Sequence, residues 1–203
     1  NSLFGSTTVT PPSSSVCHND LDFMILIDAM FNVLCNDDTE YWPVVQRAVL
    51  IMIETSEIVC YKSDDDDEGE SRLYRANLTN LALFDYLAEK LCQLCYERSW
   101  FAKRAGCLII KLLTKKMSYA WLFGHSYTFL RSIMFILVSV SGEISSGAID
   151  VAKDTLEAIV NLCATKLAPP TTPTDTEKQA NYAQLCEFQQ RCLNAVSYTH
   201  LRA

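Results

Sequence analysis

NLALFDYLAEKLCQLCYERSWFAKRAGCLIIKLLTKKM, residues 80–117, decides how the rest of the chain is read. Phe84, Leu87, Ala88, Leu91 and then Leu94 or Cys95 recur at three- and four-residue steps, which is one face of an α-helix running from about Asn80 to Cys95. Ser99 stands where an N-cap is wanted. Trp100, Phe101, Ala105, Ile109, Leu112 and Leu113 then form a second helical stripe, ending near Met117. Only a short polar turn joins the two, so they must be antiparallel neighbours. Each carries an apolar side that must be buried against something else. A helix pair of this kind reaches stability by stacking on other pairs.

The pattern extends in both directions. Upstream, Asn19 or Asp20 can cap a helix reaching about Cys35. Its apolar residues crowd nearly all round, from Leu21 through Phe23 to Ile27, Ala29 to Phe31, Val33 and Leu34, which predicts a well-buried helix. Asn36-Asp37-Asp38 is a turn, and Thr39 caps a second helix that tolerates Pro43 in its first turn. That helix carries Val45, Val49, Met52 and Val59 on one face and ends near Tyr61. Downstream, Ser118 caps the next segment, which Gly124 is expected to split into Tyr119 to Phe123 and His125 to about Val140. Gly142 suits its exit, and Ser145 or Ser146 caps a sixth helix with Ala148, Ala152, Leu156, Ile159 and Cys163 as its stripe. Asp175 or Thr176 begins a seventh, with Tyr182, Leu185, Phe188 and Cys192 facing inward.

No strand-like alternation separates these helices. The expected fold class is all-α: an α-solenoid of about seven helices in antiparallel pairs, HEAT-like in its period of about 40–47 residues. The division that follows is a disordered lead at 1–18, helix pairs over 19–168 interrupted by an acidic loop at 63–71, a Pro-rich linker at 169–174, a further helix at 175–196, and a tail at 197–203. That tail, Ser197-Tyr198-Thr199-His200-Leu201-Arg202-Ala203, resembles translated adapter read-through and is set apart as non-native.

Composition narrows the function classes. A chain of 203 residues is long enough to bury roughly 70% of its unfolded surface. The net charge of −7 argues against nucleic-acid binding, whose footprint is a basic stripe. Lys111, Lys115 and Lys116 form the largest basic group and read as the solvated face and C-terminal end of a helix. Ser6 to Ser15 lacks the apolar core of a signal peptide, and Ile133 to Val140, flanked by Arg131, falls short of the roughly 20 residues that span a bilayer. Nine cysteines are scattered through apolar patterns, as small buried hydrophobes in a reducing compartment would be. The sequon Asn77-Leu78-Thr79 is therefore expected to be silent. Because the chain begins without Met, it is expected to be a slice of a longer protein.

Each motif that could carry chemistry is incomplete. Cys92-x-x-Cys95 comes at a helix end, where a redox pair wants a helix start. As half a zinc site it lacks a second pair, which Cys107, His18, His125 and His200 do not supply. No Gly-x-Ser-x-Gly elbow is present. Gly142 to Gly147 lacks the Lys and the strand of a phosphate loop. His125 has no partner at motif spacing. Four adjacent residues, Asp64 to Asp67, cannot supply the spaced ligands of a calcium loop, so Ser63 to Ser71 reads as a solvated insertion. No catalytic, cofactor-binding or metal residue is assigned. The string Tyr96-Glu97-Arg98-Ser99-Trp100-Phe101-Ala102-Lys103 mixes charge with large aromatics. It reads as helix-turn packing, with an interface hot spot as the alternative, since Trp, Tyr and Arg are enriched there.

Two ordered blocks carry a family resemblance. Leu87 to Cys92, Cys95 to Lys103 and Gly106 form the first; Gly142 to Ala148, Ala152 to Glu157 and Cys163 to Thr165 form the second. Together they resemble the HEAT-repeat region of the TRRAP family of phosphatidylinositol-3-kinase-related pseudokinases, over residues 19 to 195. The resemblance implies a non-catalytic scaffold segment of a shared subunit of histone acetyltransferase complexes, nuclear, holding complex subunits and transcriptional activators. It implies a kinase-like domain lying far outside this stretch and without catalytic residues. The acidic tract Asp64 to Glu70 looks like an insertion relative to the family. No cofactor, nucleic acid, membrane or small-molecule substrate is expected. A cytoplasmic helical-repeat adaptor of transport-receptor or coat type is the alternative, and a cysteine-dependent redox or zinc enzyme a third.

Overall fold

The computed structural model describes residues 22–36, 39–60, 82–139, 147–167, 169 and 176–200. The lead at 1–18, the acidic loop at 63–71, Gly142, Ser145 and Ser146, the 169–174 linker beyond Pro169, and residues 201–203 lie outside the described residues.

Seven α-helices are described: α1 (Phe23–Leu34), α2 (Trp42–Cys60), α3 (Ala82–Tyr96), α4 (Trp100–Lys116), α5 (Tyr119–Ser139), α6 (Ala148–Ala164) and α7 (Thr176–His200). A 3-10 turn, Thr39–Tyr41, leads into α2. No strand occurs among the described residues. The odd-numbered helices α1, α3, α5 and α7 touch in succession, and so do the even-numbered α2, α4 and α6. Chain neighbours α1 with α2, α3 with α4, and α5 with α6 touch across the gap between these rows. Two layers of stacked antiparallel hairpins result, an all-α solenoid. One contiguous core runs through it, from Ile27 in α1 to Cys192 in α7.

Local chemistry explains the helix starts. The Asp22 carboxylate accepts from the Met24 N–H at 2.9 Å, so the cap of α1 is Asp22, not Asn19 or Asp20. Ser118 Oγ accepts from the Trp121 N–H at 3.4 Å, which starts α5 only two residues after α4. Gly147, in the left-handed region at φ 65°, occupies the N-cap of α6 in place of Ser145 or Ser146. Gly124 does not split α5, which runs unbroken through it. A lone glycine costs a helix only about 1 kcal/mol, and the packing on both sides of Gly124 exceeds that. The helix α7 continues to His200, four residues beyond its predicted end.

The layers explain which helices are apolar all round. The helix α5 meets α3, α4, α6 and α7, and buries Trp121, Phe123, Phe129, Ile133 and Ile136 among them. By length and composition alone α5 could cross a membrane, but those side chains are spent between helices. The first helix departs from expectation. Ile27, Met30, Phe31 and Leu34 are buried, while Met24, Ile25 and Leu26 face water. Its position at the end of the odd layer leaves one side without a neighbour among the described helices.

Gly106 sits at the crossing of α3 and α4. A Cβ there would stand 3.2 Å from the Leu91 carbonyl oxygen and from Leu94 Cβ, and 3.3 Å from Cys95 Sγ. The two helix backbones approach this closely because residue 106 has no side chain. Within each layer, polar pairs cross from one helix to the next: the ion pairs Lys90 to Asp28 at 2.8 Å and Lys111 to Asp154 at 3.0 Å, and a hydrogen bond between His125 and Asp85 at 3.0 Å. Exposed pairs of this kind contribute little stability, so they bear on the register of stacking more than on its strength.

Candidate interaction edge

The turn between α3 and α4 lies on the edge of the array where odd helices end and even helices begin. Tyr96 closes α3, and Trp100 to Lys103 form the first turn of α4. Trp100 stacks on Phe101. Phe101 meets the ring of Trp42, the first residue of α2, edge-on at 6.5 Å. The Arg104 guanidinium lies over the Trp42 ring at 5.2 Å. On the other side Tyr96 packs on Phe135 of α5 at 4.7 Å. Lys103, buried, sets its ammonium 5.7 Å from the Phe135 ring and donates to Ser139 Oγ at 3.3 Å, near the C-terminus of α5 where a cation suits the helix dipole.

This edge shows the helix-turn packing expected of the Tyr96–Lys103 string and leaves its exposed part as a candidate contact surface. Trp100 and Phe101 are half-buried and knit α2 to α4. Tyr96, Glu97 and Arg98 face water, with Phe135 and Val138 exposed beside them. Trp42, Phe135 and Ser139 were not singled out from sequence, since nothing in an apolar run says which ring will meet a turn 35 to 55 residues away. A shallow polar groove of about 270 Å³ opens nearby between α1 and α3, with Asn32, Gln93 and Glu97 on its walls. It falls below the roughly 300–1,000 Å³ range of small-molecule pockets and is not lined mainly by apolar groups.

The sequence-flagged thiols are packed into helix interfaces. Cys95 is fully buried, and its thiol is held well above the usual range by contact with Cys107 of α4, then by burial. Its Sγ donates to the Leu91 carbonyl at 3.3 Å. Cys92 is half-buried and raised by burial, with Ser132 opposing and Glu89 reinforcing the shift. Neither thiol has the depressed pKa of a redox nucleophile. A second thiol contact, not anticipated, joins Cys163 of α6 to Cys192 of α7, and Ser126 Oγ lies 2.7 Å from Cys192 Sγ. That contact and burial push Cys163 up, while the same contact and Ser126 act downward on Cys192. His125 hydrogen-bonds with Asp85 as a layer tie, and its ring packs tilted against Trp121 at 4.5 Å. Among the described residues no three His, Cys, Asp or Glu side chains converge as metal ligands would.

Residues 6–194 match the family described as the Tra1 HEAT repeat ring region. The human Transformation/transcription domain-associated protein is 29% identical over 162 residues, covering 77% of this chain and 4% of the human protein. Its Danio rerio namesake is 29% identical over the same length, again 77% and 4%. Transcription-associated protein 1 of Drosophila melanogaster is 31% identical over 147 residues, 72% of this chain and 4% of the fly protein. The chain thus spans about 4% of the length of these curated relatives. No solved structure matches it.

Proposed function

The chain belongs to the Tra1 HEAT repeat ring family, and from that premise we propose that it is a scaffold segment of a transcription-associated protein, working by binding and without catalysis. The finer reading is a nuclear subunit of histone acetyltransferase complexes that holds complex subunits and transcriptional activators. One observation carries it: the family match covers nearly the whole two-layer array, helices and turns together. A solenoid of this type offers extended surface and rigid spacing. The interaction edge at Tyr96, Arg98 and Phe135 supplies the aromatic and arginine side chains that dominate protein–protein contacts.

The test is purification of the full-length protein under a tag at its natural locus, with mass spectrometry of bound subunits and an assay for acetyl transfer to nucleosomal histones. Acetyltransferase subunits and co-purifying activity are expected. Recovery of a Ran-type GTPase or coat subunits in their place would overturn the proposal in favour of a transport or coat adaptor. Within that complex, Tyr96→Ala with Arg98→Ala should weaken retention of at least one subunit while leaving the helical content unchanged.

A further inference from the structure

Two pairs of thiols meet across helix interfaces, and they are not equivalent. Cys95 of α3 meets Cys107 of α4, and Cys163 of α6 meets Cys192 of α7. All four are free and buried, Cys192 alone keeping 6% of its surface. Beyond Cys107, Cys95 finds the Leu91 carbonyl at 3.3 Å, an acceptor that favours the protonated thiol. Cys192 Sγ instead lies 2.7 Å from Ser126 Oγ of α5, a hydroxyl that can donate. The Ser126 proton has two claimants, since the Phe123 carbonyl stands 2.8 Å away. Ionisation of Cys192 turns that proton to sulfur, because a charged acceptor makes the stronger bond. The Cys163 contact and then Ser126 pull the Cys192 thiol down against burial, while Cys163 itself is held up. The backbone is pinned at the same place. Gln189, three residues before Cys192 on α7, donates from Nε2 to the Cys163 carbonyl at 2.8 Å.

We propose that Cys163 and Cys192 are a peroxide-sensitive pair that closes to a disulfide between α6 and α7, with Ser126 assisting the attacking sulfur. The Cys192 thiolate attacks one oxygen of hydrogen peroxide. An S–O bond forms, the O–O bond breaks, and the departing hydroxide takes the proton that Cys192 gave up and leaves as water. The Cys163 sulfur then attacks the Cys192 sulfur. The S–S bond forms, the S–O bond breaks, and hydroxide leaves with the Cys163 proton as a second water. The two thiols lose two electrons in all, and one peroxide is reduced to two waters. The touching sulfurs close to about 2.05 Å in the product. Hydrogen peroxide is little larger than water, and local opening brings such small reagents to buried groups. In a reducing compartment a bond of this kind is transient and serves sensing. Its effect is a covalent clasp between the two layers, since α6 lies in the even row and α7 in the odd. Cys95 and Cys107 make a similar contact, but Cys95 has a carbonyl where Cys192 has a hydroxyl, so that pair stays reduced.

Peroxide titration of the intact protein tests this. After exposure to graded hydrogen peroxide, free thiols are blocked with N-ethylmaleimide in urea, and the unreduced digest is mapped by mass spectrometry. A cross-linked Cys163–Cys192 peptide, removed by dithiothreitol, is expected at a peroxide concentration at least about ten-fold below that which oxidises Cys95 or Cys107. Cys163→Ser removes the resolving thiol, so dimedone should then label Cys192 as its sulfenic acid. Ser126→Ala should slow cross-linking several-fold. Recovery of Cys163 and Cys192 as maleimide adducts after exposed Cys35 is fully oxidised would overturn the proposal. So would an equal response from Cys95 and Cys107, since contact and burial without the hydroxyl would then set the reactivity. A Ser126→Ala rate equal to the wild type removes the part given to Ser126. The wild-type map needs no variant, and it decides by itself should a variant not fold. No readout depends on which subunits co-purify, so a failure here is distinct from a failure of the scaffold assignment.

Discussion

Two glycines inside helices should respond to the same substitution with opposite sign. Gly124 lies exposed in the second turn of α5, and nothing stands within 4 Å of where its Cβ would be. Alanine there gains helix propensity alone, so Gly124→Ala should stabilise the chain by about 0.5–1 kcal/mol. Gly106 gains the same propensity but places a methyl 3.2 Å from the Leu91 carbonyl oxygen, which belongs to the backbone of α3 and cannot rotate away. Overpacking of this kind costs about 1–3 kcal/mol, so Gly106→Ala should lose about 0–2 kcal/mol net. The two variants should therefore differ by about 1–3 kcal/mol in urea unfolding followed by far-UV circular dichroism, with unchanged m-values. Gly106→Val, with two more carbons at the crossing, should fall further still. Were Gly106→Ala to match Gly124→Ala within about 0.5 kcal/mol, the close approach of α3 and α4 would be wrong, and with it the reason for a glycine at that position.

Three other outcomes follow from the interfaces. Asp28 is held below its ordinary pKa of 3.8 by hydrogen bonds from Lys90 and Tyr86, so its contribution is present above the unfolded value and lost as pH falls through the lower folded one. The difference in melting temperature between the wild type and Asp28→Asn should shrink steadily below pH 3.8, and a difference that stays constant would refute the tie. Alkylation of the native chain with iodoacetamide should modify exposed Cys35 before buried Cys95, Cys107, Cys163 and Cys192, although burial and Glu97 raise the Cys35 thiol and slow it. Rapid joint modification of Cys92 and Cys95 would revive the redox reading. Thr155 Oγ1 donates toward the Val151 carbonyl at 2.7 Å and the Cys107 carbonyl at 3.2 Å, linking α6 to α4, so Thr155→Val should cost about 1 kcal/mol in the same urea assay.

How far the sequence could be read depends on what its pattern encodes. Periodicity records the inward face of a helix, so the stripes Phe84–Leu87–Leu91 and Ala152–Ile159–Cys163 could be taken directly from residue spacing. It does not record how many neighbours a helix has. The first helix and α5 are both apolar nearly all round, yet α5 buries its surface on several sides while α1 leaves Met24, Ile25 and Leu26 in water. Local rules fail where tertiary packing outweighs them: Gly124 is expected to break α5, and a propensity cost of about 1 kcal/mol is small beside a helix packed on four others. The interaction edge was half legible. The Tyr96–Lys103 string stands out by composition, but Trp42 and Phe135 join it only because the hairpins stack in register.

Stacking also bears on why no single residue declares a function here. In an array each hairpin uses most of its apolar surface on its neighbours, and what remains outside is a residue of that accounting. On α7 the remainder is amide and charge; on α2 it is Val44, Ile51 and Ile58 at seam spacing. A seam exposed at full helical register is costly to maintain in water, whereas isolated exposed apolar groups are ordinary. On α5, Tyr127, Phe135 and Val138 are exposed with polar neighbours such as Thr128 and Arg131 among them. The α2 strip is interrupted in the same way, by exposed Thr55 between Ile51 and Ile58. Exposure of either kind is what stacking leaves over, and neither set of side chains names its own occupant.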